Sequence, residues 1–225
     1  ADEIEHVEQW SNVNNLSLNR RKSAETVFVS PWSKRAVVVP TPAVPGFERV
    51  DSIKALGITI SRRLSIAEHV DNLLAACAQT LFAMRTLKQQ GLPTNALQTI
   101  FRATVVAKLT YAPPAWWGFA STADKERLEA FLRRSYQVGF REQSAPTLAS
   151  ICDEAEDRMF KSIISNPQHL LFHLLPPQRD NHYNLRSRAT HNLQLPARST
   201  ALNDRNFITR MLYKHMNYSL ASTNS

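Results

Sequence analysis

The side chains with chemical potential are few and scattered. His169 and His173 lie four residues apart with Cys152 upstream, a spacing that puts both imidazoles on one face of a helix, where metal ligation is conceivable. No fourth ligand stands at a recognisable spacing. Asp153-Glu154 and Glu156-Asp157 form an acidic cluster able to hold a divalent cation, but beside Arg158 and Lys161 it reads as a solvated helix face. No glycine-rich phosphate loop, Gly-x-Ser-x-Gly elbow or His-Glu-x-x-His motif occurs. The residues offer no self-contained active site.

Binding residues are more plentiful. Lys54, Arg62 and Arg63 flank an apolar stretch, Arg85 and Lys88 lie one helical turn apart, and Arg133-Arg134 and Arg186-Ser187-Arg188 follow. Trp32, Trp116 and Trp117 lie between or beside basic segments, a composition found on nucleic-acid surfaces. Taken singly, each basic pair reads as surface solvation and the Trp pair as core. The whole chain supports the other reading, with 27 Lys+Arg against 19 Asp+Glu, a formal charge of +8 and a pI near 9.8. Positive charge is densest over residues 31–65, six basic against two acidic. A polyanionic partner is the expectation.

Two cysteines, Cys77 and Cys152, make neither a disulfide framework nor a structural zinc set, and point to a reducing, intracellular compartment, nucleus or cytoplasm. No window approaches the roughly 18 uninterrupted apolar residues of a membrane span, so no membrane partner is expected. The N-terminus is acidic and lacks an initiator Met, which suggests a piece of a longer protein.

The elements that must position these residues follow from periodicity. Ile4, Val7, Trp10 and Val13 mark a helix over 2–15, ended by Asn14-Asn15. Ala24–Ser30 reads as a strand closed by Pro31, and 33–46 as an extended, proline-rich connection. Phe47–Val50 and Ile53–Ile60 read as a hairpin or a bent strand around Asp51-Ser52. Within the second run Leu56, Ile58 and Ile60 alternate with Gly57 and Thr59, as in a half-buried strand, with Gly57 a bulge, a bend or a site of close approach. Ser65-Ile-Ala-Glu68 is a capping box opening a helix striped by Ile66, Val70, Leu73, Cys77, Leu81, Met84 and Leu87 up to Gly91.

A second helix follows Pro93 with Leu97, Phe101, Val105, Leu109 and Ala112 on its face, broken by Pro113-Pro114. After a Trp116-Trp117-Gly118 loop, a third is capped by Ser121 or Thr122 and striped by Leu128, Phe131, Leu132 and Tyr136. Its Asp124 and Glu126 lie early and its Arg133-Arg134 late, as suits the macrodipole. Beyond Gly139, helices are expected over 147–165, 168–175 and 207–216, with a polar loop or tether over 176–205.

The fold class is α+β: a small antiparallel strand region with one helix over 1–61, a mainly helical bundle over 65–140, and a partly helical, poorly ordered extension over 141–225.

In order along the chain, these segments resemble one family. Trp10-Ser-Asn-Val-Asn-Asn-Leu-Ser-Leu-Asn, Lys22 and the strand to Phe28 are similar to the stretch after the catalytic Asp-Asp strand in reverse transcriptases of non-LTR (LINE-like, jockey-type) retrotransposons. Ile53-Lys-Ala-Leu-Gly-Ile-Thr-Ile resembles their primer-grip hairpin. Leu87-Lys, Ala-Lys108-Leu-x-Tyr-Ala, Trp116-Trp117-Gly118 and Phe131-Leu-Arg-Arg-Ser are similar to their thumb and C-terminal extension, and Tyr183-Asn-Leu-Arg-Ser-Arg188 to a tail segment.

The resemblance implies an RNA-directed DNA polymerase. Lys22 would protonate the leaving pyrophosphate. Leu56 and Gly57 would hold the primer 3′ end, with Lys54, Arg62 and Arg63 beside them. Arg85, Lys88, Arg102 and Lys108 would track the backbone of an RNA–DNA template–primer. The family's Tyr/Phe-x-Asp-Asp sequence is absent from this chain, as are the fingers and most of the palm. Two-metal phosphoryl transfer needs those carboxylates. The expectation is therefore that this chain binds no metal itself, that Mg²⁺ belongs to the intact polymerase, and that this chain alone is inactive and partners the missing palm and fingers. The alternative is a non-catalytic helical scaffold that binds nucleic acid or itself.

Overall fold

In the computed structural model the stretch 53–61 is not one strand but a hairpin, β3 (Ser52–Ala55) and β4 (Ile58–Ser61). The strands run antiparallel with Ala55 opposite Ile58, so Leu56 and Gly57 alone make the turn. Both have positive φ, +48° and +89°, as a two-residue type I′ turn requires. The alternation of Leu56, Ile58 and Ile60 imitates a single strand because it straddles this turn. Gly57 is thus the second turn residue, not a bulge.

The structure describes residues 2–29, 42–179, 191–197 and 200–217. The fold is α+β, and the chain divides into two units, 1–69 and 70–225.

In the first unit, α1 (Asp2–Val13) ends where Asn15 turns left-handed at φ +55° and Leu16 N–H returns to the Ser11 carbonyl at 2.8 Å. Asparagine tolerates that conformation, and the returning bonds satisfy the last carbonyls. A 3₁₀ turn, Arg20–Lys22, follows. The expected strand over 24–30 pairs over two residues only: β1 (Ala24–Glu25) lies parallel to β2 (Glu48–Arg49). The long connection between them leaves strand direction open, whereas the two-residue turn of β3–β4 forces antiparallel pairing. Arg49 Nε donates to Glu25 at 2.6 Å, and this bond holds the Glu25 carboxyl below its ordinary range.

The helix expected from the capping box is α2 (Ala67–Gln89), which begins in the first unit and continues into the second. Half of the box forms. The Ser65 hydroxyl accepts from Ala67 N–H at 3.3 Å, while Glu68 makes no return bond. Ile66, Val70, Cys77, Leu81 and Met84 are buried, and Leu87 is exposed at the end of the stripe.

In the second unit, α3 (Thr94–Phe101) passes into a π-helical stretch, Arg102–Val106, and then α4 (Ala107–Leu109). Leu97, Phe101, Val105 and Leu109 are all buried. Steps of four residues overshoot an α-helical turn by about 40° each, and the wider π turn takes up that drift, keeping one face inward. A short helix, α5 (Pro113–Trp116), and a 3₁₀ turn (Trp117–Phe119) replace the expected loop.

Ser121 caps α6 (Thr122–Gln137) in a complete capping box with Asp124. Leu128, Phe131 and Leu132 are buried as expected, but Tyr136 is exposed.

Helix α7 (Leu148–Ser165) has Thr147 as its cap. The helix expected over 168–175 is a set of turns with one 3₁₀ turn, Phe172–Leu174; Pro167 ends α7, and the Asn166 side chain accepts the Gln168 N–H at 3.0 Å. The tether expected over 176–205 is, in its described parts, packed. Gln178 and Leu193 form an antiparallel bridge, Leu193 and Leu195 lie on a cluster of Phe160, Met211 and Leu212, and α8 (Ala201–Arg205) precedes α9 (Phe207–Asn217). A Cβ on Gly118 would stand 2.5 Å from both the Arg205 carbonyl oxygen and Arg210 Nε, so only glycine admits this approach.

Candidate nucleic-acid interface

The hairpin tip carries the most unusual side chain of the first unit. Leu56 is a large apolar residue, 90% exposed, in a left-handed conformation that costs a non-glycine residue about 1–2 kcal/mol. Local packing does not explain it, since the side chain touches little. Strain with exposure is what a contact residue held out for a partner looks like.

Lys54 stands opposite Thr59 on the same hairpin and is exposed. Thr59 is buried, and its N–H donates to His69 Nδ1 at 3.5 Å. Burial, then the Lys54 charge, pushes the His69 imidazole below its ordinary range.

At the far end of β4 the chain turns through Arg62-Arg63. Arg62 donates to the Asp51 carboxylate at 3.0 Å, a solvent-facing pair worth little and easily exchanged. Lys22 ends the 3₁₀ turn, its backbone N–H on Asn19 Oδ1 at 3.2 Å and its side chain in solvent. Lys22, Lys54, Leu56, Gly57, Arg62 and Arg63 thus share the first unit.

The other four basic residues belong to the second unit. Arg85 and Lys88 stand one turn apart on α2, Arg102 opens the π-helical stretch and Lys108 lies on α4, all exposed. Lys88 Nζ donates to the Val138 carbonyl at 2.8 Å and lies 5.8 Å over the Phe140 ring, so it also ties α2 to the end of α6. Among the described residues, the side chains of Lys22, Lys54, Arg63, Arg85, Arg102 and Lys108 make no hydrogen bond or ion pair. Cations without internal partners are the ones free to neutralise phosphates.

The remaining candidates resolve differently. Trp116 and Trp117 are buried and meet edge to face at 5.6 Å, with Lys125 Nζ 4.5 Å over the Trp117 ring; they are core. Trp32 and Arg186-Ser187-Arg188 lie outside the described residues, as does the 183–188 tail segment.

Half of the acidic cluster is not a solvated face. Glu156 is buried and takes two bonds from Arg210, at 2.9 and 2.5 Å, while Asp157 holds Lys214 at 2.9 Å and His215 at 3.1 Å. Spacing on α7 alone could not reveal this, because the partners come from α9, about fifty residues on. His169 Nδ1 accepts the Leu171 N–H at 3.1 Å and serves the turn. Burial pushes the Cys152 thiol up to about 12 and the Cys77 thiol to about 11, which removes both as thiolates at neutral pH. Among the described residues no group of three or more His, Cys, Asp or Glu converges to hold a metal ion, and no helix is long and apolar enough to cross a membrane.

No protein-family model, curated protein or solved structure matches this chain.

Proposed function

We propose that this chain is the C-terminal part of a non-LTR retrotransposon reverse transcriptase and that it grips the template–primer without performing the chemistry. Residues 1–61 correspond in this reading to the distal palm, 65–140 to the thumb and 141–225 to the C-terminal extension. The observation that carries it is the hairpin tip: the Leu-Gly pair that resembles a primer grip forms a tight I′ turn with Leu56 strained and exposed. Cations that make no hydrogen bond or ion pair among the described residues, Lys22, Lys54 and Arg63 in the first unit and Arg85, Arg102 and Lys108 in the second, add charge that suits phosphates.

Lys22 is the general acid by resemblance, and its exposed amine on a short turn suits proton delivery to a leaving group brought by another segment. The described donors do not fit a two-metal site. No step of nucleotidyl transfer is assigned to this chain alone: Lys22 would act only in the intact polymerase, to which Mg²⁺, the palm and the fingers belong.

The test is binding of the full chain to a fluorescent RNA–DNA hybrid with a recessed primer 3′ end across a salt series. Tight binding at low salt is expected, with a log–log slope that falls by about one per phosphate contact when Arg63, Arg85, Arg102 or Lys108 becomes Gln. Leu56→Ser should remove the preference for a recessed over a blunt end. No binding at low salt, or slopes indifferent to these changes, refutes the proposal. Primer extension by this chain with Mg²⁺ should stay at background.

A second reading, a self-associating helical scaffold, draws on α1, whose Val7, Trp10 and Val13 stand in solvent. A monodisperse monomer at high concentration would count against it.

A further inference from the structure

The C-terminal halves of α2 and α6 carry two aromatic side chains that the core does not use. Phe82 is 71% exposed on α2, off the buried line of Cys77, Leu81 and Met84. Tyr136 continues the apolar stripe of α6 and yet is 41% exposed. Among the described residues neither ring packs on another ring, and the Tyr136 hydroxyl makes no hydrogen bond. Each ring stands three residues from an exposed cation, Phe82 from Arg85 and Tyr136 from Arg133, a spacing that makes side chains neighbours on a helix surface. Neither guanidinium makes a hydrogen bond or ion pair among the described residues. Lys88 joins the two helix ends, since its amine donates to the Val138 carbonyl at 2.8 Å and lies 5.8 Å over the Phe140 ring. One aromatic–cation pair thus lies within about two turns of that tie, and the other just before it.

No acidic residue follows Asp71 on α2 or Glu129 on α6, and the Glu129 carboxylate accepts the Ala149 N–H at 3.2 Å. Cations near helix C-termini suit the macrodipole by themselves. Exposed rings beside them do not follow from it. Aromatic faces set among unpaired cations are the chemistry that holds single-stranded nucleic acid, because every base can stack on a ring and every phosphate can take a guanidinium. A duplex keeps its bases stacked on one another, so such rings serve unpaired bases. We propose that this end of the second unit binds an unpaired polynucleotide strand without regard to sequence. Bases stack on Phe82 and Tyr136, and neighbouring phosphates meet Arg85 and Arg133. The inference shares Arg85 with the template–primer reading and stands without it.

The probe is a fluorescent oligouridylate of about fifteen nucleotides, titrated with the full chain across a salt series. Oligothymidylate and a blunt RNA–DNA hybrid are separate arms. Phe82→Ala and Tyr136→Ala should each weaken oligouridylate about tenfold, with the salt slope and blunt-hybrid binding unchanged. Phe82→Trp should keep the affinity, and Arg133→Gln should lower the slope by about 0.7. All these positions are exposed, so the variants should fold as the parent does. The stronger of oligouridylate and oligothymidylate names the natural strand as RNA or DNA. Absence of strand binding at low salt, or strand binding indifferent to both alanine changes, overturns the inference even where hybrid binding is intact. Alanine changes that weaken strand and blunt hybrid alike overturn it too, since stacking on these rings is open only to unpaired bases. Strand binding that needs both rings, without any hybrid binding, supports the inference and overturns the template–primer reading.

Discussion

Helices α1 and α2 carry the same kind of apolar stripe and meet opposite fates. In α2, Val70, Cys77, Leu81 and Met84 are buried. In α1, Val7, Trp10 and Val13 face solvent, Val13 at 84% and Trp10 at 61% exposure, with Leu16 and Phe28 also exposed nearby in sequence. Periodicity reports a demand for burial, not whether the demand is met. Nothing among the described residues covers the α1 stripe. An uncovered apolar stripe suits an interface, and in the proposed reading its partner is the rest of the palm.

The largest effect that separates the two helices is on stability. Met84→Ala should cost about 2–5 kcal/mol, and Val13→Ala should change stability by no more than about 0.5 kcal/mol. Urea unfolding followed through the buried Trp116–Trp117 pair measures the first, and far-ultraviolet dichroism the second. Equal costs would break the comparison.

Next comes the hairpin tip. Leu56→Gly should stabilise β3–β4 by about 1 kcal/mol, by relieving a left-handed leucine, while Gly57→Ala should destabilise it by a similar amount. Hydrogen exchange at the strand amides reads both. A leucine that stabilises its own turn would remove the argument that the tip is strained for contact.

Acidification acts on both units in the same direction. His69 Nδ1 accepts from Thr59, and His191 Nδ1 accepts from Leu193 N–H at 3.3 Å while its Nε2 meets the Leu212 carbonyl at 3.0 Å. These bonds suit neutral rings. Burial pushes both imidazoles below their ordinary 6.5; Lys54 adds to this at His69, while at His191 the bond with the Leu212 carbonyl opposes it and His215 and Arg179 reinforce it. The unfolded chain therefore takes up protons first. The histidine contribution to stability is complete above pH 6.5 and is lost as pH falls through the lower folded-state values. Urea midpoints should fall between pH 7.5 and 5, less steeply in His191→Gln, and a flat profile would contradict the neutral assignment.

The smallest effect on folding belongs to Trp10→Ser. It should leave stability within about 0.5 kcal/mol and yet reduce self-association at high concentration, read by sedimentation velocity.

The helices were legible because their signals are local: Ser121 three residues before Asp124, Thr147 at the head of α7, and Gly91 and Gly139 as stops. The hairpin was not legible from alternation, since Leu-Gly is a weaker turn signal than Asn-Gly and the apolar residues continued through it. At the candidate interface, the exposure of Arg85, Lys88, Arg102 and Lys108 follows from their places off the apolar stripes. The buried roles of Glu156 and Asp157 depend on Arg210, Lys214 and His215, and no sequence window joins residues so far apart. The strain at Leu56 is a backbone property with no compositional trace.

The π-helical turn at Arg102–Val106 also marks where this chain can lose a residue. Such a turn is an α-helix carrying one additional residue. Deleting Ala103 would restore regular winding and set Leu109 seven residues after Phe101, about 20° short of two full turns, so Leu109 would stay in the core and Lys108 on its exposed face. Single-residue deletions here should therefore be better tolerated than deletions within α2 or α6, and a relative lacking one residue in this window would keep its downstream apolar positions in the same register.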